Sequence, residues 1–451
     1  MKLTVDPSAV VRKWPRVEEY QNSTMRYTPP GDFPAYCASK IGKPRLIRCW
    51  VTLDEVWDYR TDSYDWDYPI GVNKYVGDPK HYSYDWGSTV PLGQNFLEYL
   101  SSYAGQADEV LFNIRRLERE VTDGIVSPEK YEEVVERVVE RYKELCPSIR
   151  YIECCNEVEL NSFGGLTVEE YYVLYRCTYR AVRRLNERHK YALPLGVGGF
   201  AMSGCIGRWN MWRQFLELLA ADDSPERMID FYSMHDYHPT IWRIQDFTIR
   251  HEEAVRELGL PTAPLFFDEY GVCGCTGVPT DSLKNASGVI TGMILSSHLA
   301  NTHLFPWCTF HNPVKQLSYT EFVQLEDGSY APTPNGNAII ALHKLAENEV
   351  AIAENTDYRA VATADDKRIA ILASNPSDAP LELEVEVRGL EGYCAKLREY
   401  ICDSQKNNRV TGEPVSDFLP TAESFAPVRK GSLSYKTVLE PRAFILLEIE
   451  R

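Results

Sequence analysis

The sequence predicts an α/β protein: a (β/α)8 TIM barrel with a C-terminal β-sandwich domain. Short apolar runs alternate with amphipathic helical stretches along most of the chain, which is typical of parallel β/α units. After about residue 350 the pattern changes to short β-rich runs separated by turn signals, as in a β-sandwich. The 451 residues suffice for both domains. We expect residues 1–348 to form the barrel and 349–451 the sandwich, with residues 1–7 able to add a strand to the sandwich.

Seven of the eight barrel strands are visible as apolar runs in the sequence. They are residues 44–51, 109–114, 149–155, 195–199, 231–235, 264–269 and 302–307. The first strand produces no such run, and we expect it within the Pro- and Tyr-rich stretch from Trp14 to Pro34.

Helix start signals lie between these runs. Ser127 precedes Pro128, which predicts a helix with Ser as N-cap and Pro at the first helical position. Thr167 is followed three residues later by Glu170, the pattern of a capping box. Further helices are predicted near residues 209–221, 250–258 and 283–300.

The net charge of −17 argues against nucleic acid or an anionic membrane as a partner, because either needs a basic surface. No stretch approaches the roughly 18 consecutive apolar residues of a membrane span, and the first residues show no signal-peptide pattern. We therefore expect a soluble, cytoplasmic protein. The sequence does not indicate an oligomeric state.

The twelve cysteines are scattered, with two close pairs at Cys154-Cys155 and Cys273-x-Cys275. Neither pair has the C-x2-C spacing of structural zinc sites. We expect small side chains that fill tight space, with no metal and no cofactor.

Two glutamates follow the carboxyl ends of predicted barrel strands, where the active site of such a barrel lies. Glu157 comes just after the strand that ends at Cys155, and Glu269 ends the strand that begins at Pro264. A pair of carboxyl groups roughly 5 to 5.5 Å apart is what cleavage of a glycosidic bond with retention requires. Glu153 is expected to be a buried, paired residue of its strand, and Glu159 to lie in the following loop.

The order of several residues along the barrel resembles clan A glycoside hydrolases, and most closely family 39. These residues are Arg48 on the second strand, Asn156-Glu157 after the fourth, His235-x-Tyr237 on the sixth, Asp268-Glu269-Tyr270 on the seventh and Trp307 on the eighth. The resemblance covers residues 44–345, and the family also has a trailing sandwich. It implies that Glu157 is the acid/base and Glu269 the nucleophile.

The surrounding residues then receive roles in substrate binding. Arg48 would keep Glu269 ionised, although it could instead pair with another buried carboxylate. His235 and Tyr237 share one side of their strand, so Tyr237 could donate to Glu269, although both could simply be interior polar residues. Asn156 is expected to bond the sugar 2-hydroxyl.

Trp307 and Trp50 are predicted sugar platforms. Glu157 has no cationic neighbour in the sequence, so apolar surroundings would keep it protonated.

The sequence departs from the family pattern at three places. Val158 replaces the usual Pro after Asn-Glu, Trp50 stands where His is common, and the loop Gly271–Cys275 is rich in cysteine. The change at Trp50 leaves the identity of the sugar open.

The function predicted is that of a retaining O-glycoside hydrolase with a carbohydrate substrate, β-xylosidase-like as the best single choice. Exo or endo action and hydrolysis or transglycosylation stay open. Two alternatives belong to other classes. One is a non-catalytic glycan-binding barrel, and the other is a metal-dependent hydrolase that uses the cysteine pairs with His235 or His238.

Overall fold

The computed structural model describes residues 1–23, 27–82, 94–273, 278, 281–310, 318–353, 357–412 and 417–450. Its centre is an eight-stranded parallel sheet that forms a (β/α)8 barrel. In chain order the barrel strands are Tyr20–Asn22, Leu46–Thr52, Glu109–Arg115, Ile149–Cys154, Gly196–Ser203, Phe231–Tyr237, Leu265–Gly271 and Thr302–Pro306. Seven of them lie where the apolar runs predict them.

The first barrel strand, Tyr20–Asn22, lies inside the stretch in which it was expected. It pairs in parallel with the second strand. Its last residue, Asn22, donates to the backbone oxygens of Asp268 at 2.8 Å and Phe305 at 3.4 Å. These contacts join the first strand to the seventh and eighth and bring the two edges of the sheet together.

The predicted helix caps are present. Ser127 accepts a hydrogen bond from the Lys130 N–H, and Thr167 and Glu170 form a reciprocal capping box. Eight α-helices of nine or more residues are described: Phe33–Ile41, Phe96–Ala104, Pro128–Leu145, Val168–His189, Trp209–Ala221, Trp242–Glu257, Asp281–Ser296 and Pro334–His343.

Shorter elements complete the barrel. Two single-turn helices span Leu53–Val56 and Glu118–Thr122, and 3-10 turns span Val17–Glu19, Asn161–Phe163 and Ile206–Arg208. Two small antiparallel ribbons pair Trp57–Asp58 with Ser63–Tyr64 and Phe322–Gln324 with Tyr330–Pro332. Over the described ranges, no helix is both long and apolar enough to cross a bilayer.

The barrel interior is layered because alternate residues of each strand point inward. Near the amino ends of the strands the inward side chains form an apolar plug: Tyr20, Leu46, Leu111, Phe231, Phe266 and Phe305, with Tyr151 packed against them. Two residues further along several strands, the buried side chains are polar: Asn22, Arg48, Asn113, Glu153, Ser233 and Asp268. The interior therefore changes from aromatic to charged along the barrel axis.

The C-terminal region is a nine-stranded sheet that wraps around one apolar core. Its strands, in spatial order, are Ala422–Pro427, Cys394–Cys402, Phe444–Glu450, Arg368–Ser374, Ala360–Ala364, Asn348–Ala353, Lys2–Lys13, Leu381–Arg388 and Ser432–Leu439. The predicted fold class, a TIM barrel with a C-terminal β domain, is confirmed.

The N-terminal strand Lys2–Lys13 belongs to this sheet. It pairs in parallel with Leu381–Arg388 and antiparallel to Asn348–Ala353. The expected strand at residues 1–7 is thus present and extends further than expected. The domain boundary between residues 348 and 349 stays a prediction, with a strand of the sheet beginning beside it.

Polar contacts join the sheet domain to the barrel. The Ser374 hydroxyl donates to the Ser287 carbonyl at 2.7 Å. Arg12, which pairs with Glu349 within the sheet domain at 2.7 Å, donates to the Ser297 hydroxyl of the barrel at 2.9 Å. Hydrogen bonds thus join the two regions.

Candidate active site

Three titratable side chains converge at the carboxyl ends of the barrel strands. One oxygen of Glu157, one ring nitrogen of His235 and one oxygen of Glu269 all lie within 4.8 Å of one another. Glu157 follows the fourth strand in a left-handed backbone conformation, with φ of 47°. Its N–H donates to the Ala201 carbonyl at 2.9 Å, which ties the loop to the fifth strand. The topology thus brings both predicted glutamates to one point.

Glu269 receives a hydrogen bond on each carboxylate oxygen. Arg48 Nη1 donates to Oε1 at 2.8 Å, and the Tyr237 hydroxyl donates to Oε2 at 2.8 Å. The bond from the guanidinium is charge-assisted, and the two donors together fix the direction of the carboxyl group. The geometry gives Arg48 and Tyr237 the contacts with Glu269 that the sequence predicts for them.

Arg48 is the buried centre of this network. It donates to Glu153 Oε2 and to Asn156 Oδ1, each at 2.8 Å, and its guanidinium lies 3.9 Å from the centre of the Trp50 ring. Burial opposes its charge, yet the acids around it hold its pKa above the usual range. Arg48 is therefore a buried cation that pairs with several acidic groups at once.

Glu153 and Asp268 form a buried acid pair beneath Glu269. Burial works against the charge of Glu153, but Arg48 and hydrogen bonds from Asp268 and Asn113 lower its pKa to about 2. Burial raises the pKa of Asp268 well above its usual range, and the carboxylates of Glu153 and Glu269 add to that effect. These directions favour a charge on Glu153 and a proton on Asp268. Glu153 is buried and paired with Arg48 and Asn113, as expected.

Glu157 has different surroundings from Glu269. Burial raises its pKa to about 7, against the lowering effect of Arg48, Arg115 and Arg208. Cationic neighbours invisible in the local sequence are therefore present, and burial outweighs them. His235 Nδ1 lies 2.8 Å from Glu157 Oε1, and burial lowers the His235 pKa to about 4. A neutral imidazole thus faces a carboxyl group that is protonated below pH 7.

The two predicted sugar platforms, Trp307 and Trp50, are both buried. Trp307 is 5% exposed and meets Trp50 edge to face at 5.7 Å. Trp50 is 1% exposed, and the guanidinium groups of Arg48 and Arg115 both lie near its ring, at 3.9 and 4.6 Å. A platform needs an open ring face, so the burial of Trp50 does not support that role and instead makes it a support for Arg48.

Several residues of the site are missed by the sequence analysis. Asn113 donates to Glu153 Oε2 at 2.7 Å and to the Cys155 carbonyl at 2.6 Å. Glu159 lies in the loop as expected but is buried, and it accepts from the Ser203 hydroxyl at 2.7 Å. The available signal is polar residues at two-residue steps within apolar strands, such as Asn113 followed by Arg115.

The group of possible metal ligands found among the described residues does not include the cysteines. Cys154 and Cys155 are buried, with sulfur atoms 3.3 Å apart, and burial raises the Cys155 pKa well above its usual range. Cys275 lies outside the described residues, and Cys273 is buried. The His238 ring accepts from the Thr240 N–H instead.

Across the same ranges, the side chains that could jointly hold an ion are Glu157, His235 and Glu269 themselves. Each already bonds within the network described above.

Comparison with known proteins shows the fold. No family model matches the chain, and no curated protein matches it. Among solved structures, a monomeric β-xylosidase from Caulobacter crescentus CB15 is 15% identical, with a TM-score of 0.69 over 100% of this chain and 99% of that one. A GH39 enzyme from Xanthomonas axonopodis pv. citri is 15% identical, with a TM-score of 0.70 over 100% and 97%.

A glucosidase from Croceicoccus marinus is 17% identical, with a TM-score of 0.66 over 100% of this chain and 99% of that one. The chain therefore has the fold of family 39 and related clan A glycosidases from end to end. This agrees with the resemblance found in the sequence.

Proposed function

We propose that this protein is a retaining O-glycoside hydrolase, with Glu157 as acid/base and Glu269 as nucleophile. The observation that carries the proposal is the pair of facing carboxyl groups, with oxygens within 4.8 Å of each other. Arg48 and Tyr237 hold Glu269, and His235 holds Glu157. That separation fits the short distance of retaining enzymes, since inverting enzymes leave roughly 6.5 to 9.5 Å for a water.

In the first step Glu269 attacks the anomeric carbon while Glu157 gives its proton to the glycosidic oxygen. The carbon–oxygen bond to the leaving group breaks, and a glycosyl-enzyme ester forms on Glu269. Arg48 and Tyr237, both 2.8 Å from Glu269 oxygens, keep it ionised and fix its direction.

In the second step the Glu157 carboxylate takes a proton from water as the water oxygen attacks the anomeric carbon. The ester bond to Glu269 breaks and the carboxylate is restored. Neutral His235, 2.8 Å from Glu157, orients that carboxyl group in both steps. Asn156, whose Oδ1 accepts a hydrogen bond from Arg48, would bond the sugar 2-hydroxyl through its amide N–H.

The substrate we propose is a neutral glycan or glycoside, β-xylosidase-like as the best single choice. The names of the similar structures, a β-xylosidase and a glucosidase among them, support a neutral sugar. Trp307 is proposed to contact the sugar ring. Cytoplasmic localisation stays a prediction from the sequence.

The test is hydrolysis of a panel of aryl glycosides, with the anomeric form of the released sugar followed by NMR. We expect release with retention by the wild type and by Glu423→Gln, an exposed control on the sheet domain. Glu269→Gln should be strongly impaired on every aryl glycoside, and Glu157→Gln on those whose leaving group needs protonation. A chelator should have no effect.

Inversion of the anomeric centre would contradict the proposal. Loss of activity with chelator would favour the metal-dependent alternative. Saturable glycan binding without any turnover would favour a non-catalytic glycan-binding barrel.

A further inference from the structure

A groove opens on the outer edge of the catalytic face, between the loops that follow the fifth and sixth barrel strands. Its volume is about 360 Å³. It is lined by Ile206, Thr240, Trp242, Arg243, Gln245, Asp246 and Ile249. We call it the Trp242 groove. None of these residues belongs to the hydrolytic centre described above.

The groove exposes apolar side chains on a helix that otherwise buries them. In the helix Trp242–Glu257, Ile244 and Phe247 are fully buried, whereas Trp242 is 44% and Ile249 47% exposed. Trp242, Asp246 and Ile249 are spaced four and three residues apart, so they share one helix face. An exposed tryptophan between polar groups offers a flat apolar surface with hydrogen-bonding neighbours, which matches the two-sided chemistry of a sugar ring.

Trp242 is held in place from one side by the sheet domain. Its ring meets the ring of Tyr358 edge to face, with centres 5.7 Å apart. A preorganised ring loses little conformational entropy when a ligand stacks on it.

The groove adjoins the acid/base side of the catalytic centre. Ile206 and Arg208 belong to one 3-10 turn. Ile206 lines the groove, while Arg208 lies 3.6 Å from Glu159 and lowers the pKa of Glu157 by its charge. From the helix Trp242–Glu257, Arg243 reaches back to Asp236 on the sixth strand at 3.0 Å, one residue after His235. The leaving group would depart on the Glu157 side, which is the side of the centre that this pair and the 3-10 turn connect to the groove.

The charges in the groove favour a neutral occupant. Arg243 is paired with Asp236, and Asp246 lies 3.2 Å from Arg250. Neither sign is in excess, so an anionic polymer gains no net attraction. Thr240, Gln245 and Asp246 supply donors and acceptors of the kind that bond hydroxyl groups.

We propose that the Trp242 groove binds neutral glycan units on the leaving-group side of the substrate, with a sugar ring stacked on Trp242. The proposal rests on the proposed glycosidase function and makes it specific. The preferred substrate is an oligosaccharide that continues for several units beyond the cleaved bond, not a glycoside with a short leaving group.

The experiment uses xylo- and cello-oligosaccharides of two to five units and the corresponding nitrophenyl monosaccharides. The first readout is kcat/KM for the five-unit oligosaccharide divided by kcat/KM for the nitrophenyl glycoside. We expect Trp242→Ala to lower this ratio about tenfold, mainly through KM, because stacking and burial of one aromatic ring contribute about that much. Gln245→Ala should lower it about threefold.

The matched control is Phe425→Ala, an exposed aromatic residue on the sheet domain, which should leave the ratio unchanged. The second readout is the Kd of the five-unit oligosaccharides by titration calorimetry, which needs no turnover. We expect Trp242→Ala to weaken this Kd about tenfold as well.

The outcomes separate the two proposals. Suppose that the wild type cleaves the substrates and that Trp242→Ala changes neither the kcat/KM ratio nor the Kd. The proposed glycan site in the Trp242 groove is then wrong, and the proposed hydrolase function stands. If the wild type cleaves none of the substrates but Trp242→Ala weakens the Kd, the proposed hydrolase function is wrong and the proposed glycan site in the groove is supported. If no oligosaccharide is bound or cleaved, the groove is overturned together with the glycosidase.

Discussion

The two ends of the barrel interior are built from the same strands and have opposite chemistry. At the amino ends, rings such as Tyr20, Phe231 and Phe266 pack without charge. At the carboxyl ends, Arg48 and Glu153 are equally buried but bonded to each other at 2.8 Å. A step of two residues along a strand separates the plug from the charged layer.

This difference shows how the barrel divides stability and chemistry. Burial of aromatic rings contributes favourable free energy with no need for a partner. Buried charges cost desolvation free energy and are tolerated only when paired and hydrogen-bonded. The stability of the charged layer therefore depends on the geometry of its hydrogen bonds and ion pairs, whereas that of the plug depends on how well its side chains fill the space. Substitutions in the two layers should have different consequences.

The largest effect is expected at the carboxyl end, from Glu269→Gln. The amide cannot form the ester with the sugar, so kcat should fall by about 10⁴-fold or more while the melting temperature changes little. Steady-state kinetics on an aryl glycoside and thermal unfolding measure the two quantities. Loss of stability as large as the loss of activity would mean that Glu269 is mainly structural.

Arg48→Met tests whether the charged layer depends on pairing. Removal of the guanidinium leaves the Glu153 and Glu269 carboxylates buried without it, so the free energy of unfolding should fall by about 3–5 kcal/mol. Denaturant unfolding measures this. Arg48→Lys, which keeps a charge but not the planar fork, should recover part of it. Unchanged stability of Arg48→Met would show that the layer is not held together by this cation.

Leu111→Ala is the corresponding change in the apolar plug. The cavity should lower the free energy of unfolding by about 3 kcal/mol, with kcat at low temperature close to that of the wild type. The same unfolding and kinetic measurements apply. A loss of kcat comparable with that of Glu269→Gln would contradict the division between the layers.

Tyr237→Phe removes one of the two hydrogen bonds to Glu269. A hydrogen bond to a charged group contributes about 1.5 kcal/mol or more, so kcat/KM should fall about tenfold. The phenyl ring keeps the packing, and stability should be nearly unchanged. An unaltered kcat/KM would mean that Arg48 alone maintains the nucleophile.

The pH profile tests the protonation states. Burial raises the pKa of Glu157 to about 7, and the acid form is the active one in the first step. The value of kcat/KM should therefore fall about tenfold per pH unit above this pKa. In Glu157→Gln, assayed with an aryl leaving group that needs no protonation, this fall of kcat/KM at high pH should be absent. If kcat/KM of the variant still falls, a group other than Glu157 causes it.

The sequence predicts the fold well because apolar strands and amphipathic helices leave clear periodic patterns. The sequence locates the first strand only within a 21-residue stretch, Trp14 to Pro34. The physical cause is that Tyr20–Asn22 is three residues long and two of them are polar. Asn22 is buried because it bonds the backbone of Asp268 and Phe305. These partners lie far along the chain, so no pattern in the sequence around Asn22 indicates them.

The same limit applies to the site. Glu157 and Glu269 are recognisable by their places at strand ends, and the contacts of Arg48 and Tyr237 with Glu269 agree with prediction. The proton on Asp268, the cations around Glu157 and the burial of Trp50 depend on several strands at once. They follow from three-dimensional packing, which a single sequence does not display. The roles of all these residues stay predictions until they are tested.

The most direct test is to trap the glycosyl-enzyme. The protein would react with an activated 2-deoxy-2-fluoro glycoside of the sugar chosen by the hydrolysis panel, followed by intact-mass and peptide mass spectrometry. We predict one added glycosyl unit, carried by Glu269, and none in Glu269→Gln. A label on another residue, or turnover with retention and no label, would contradict the assignment of Glu269 as the nucleophile.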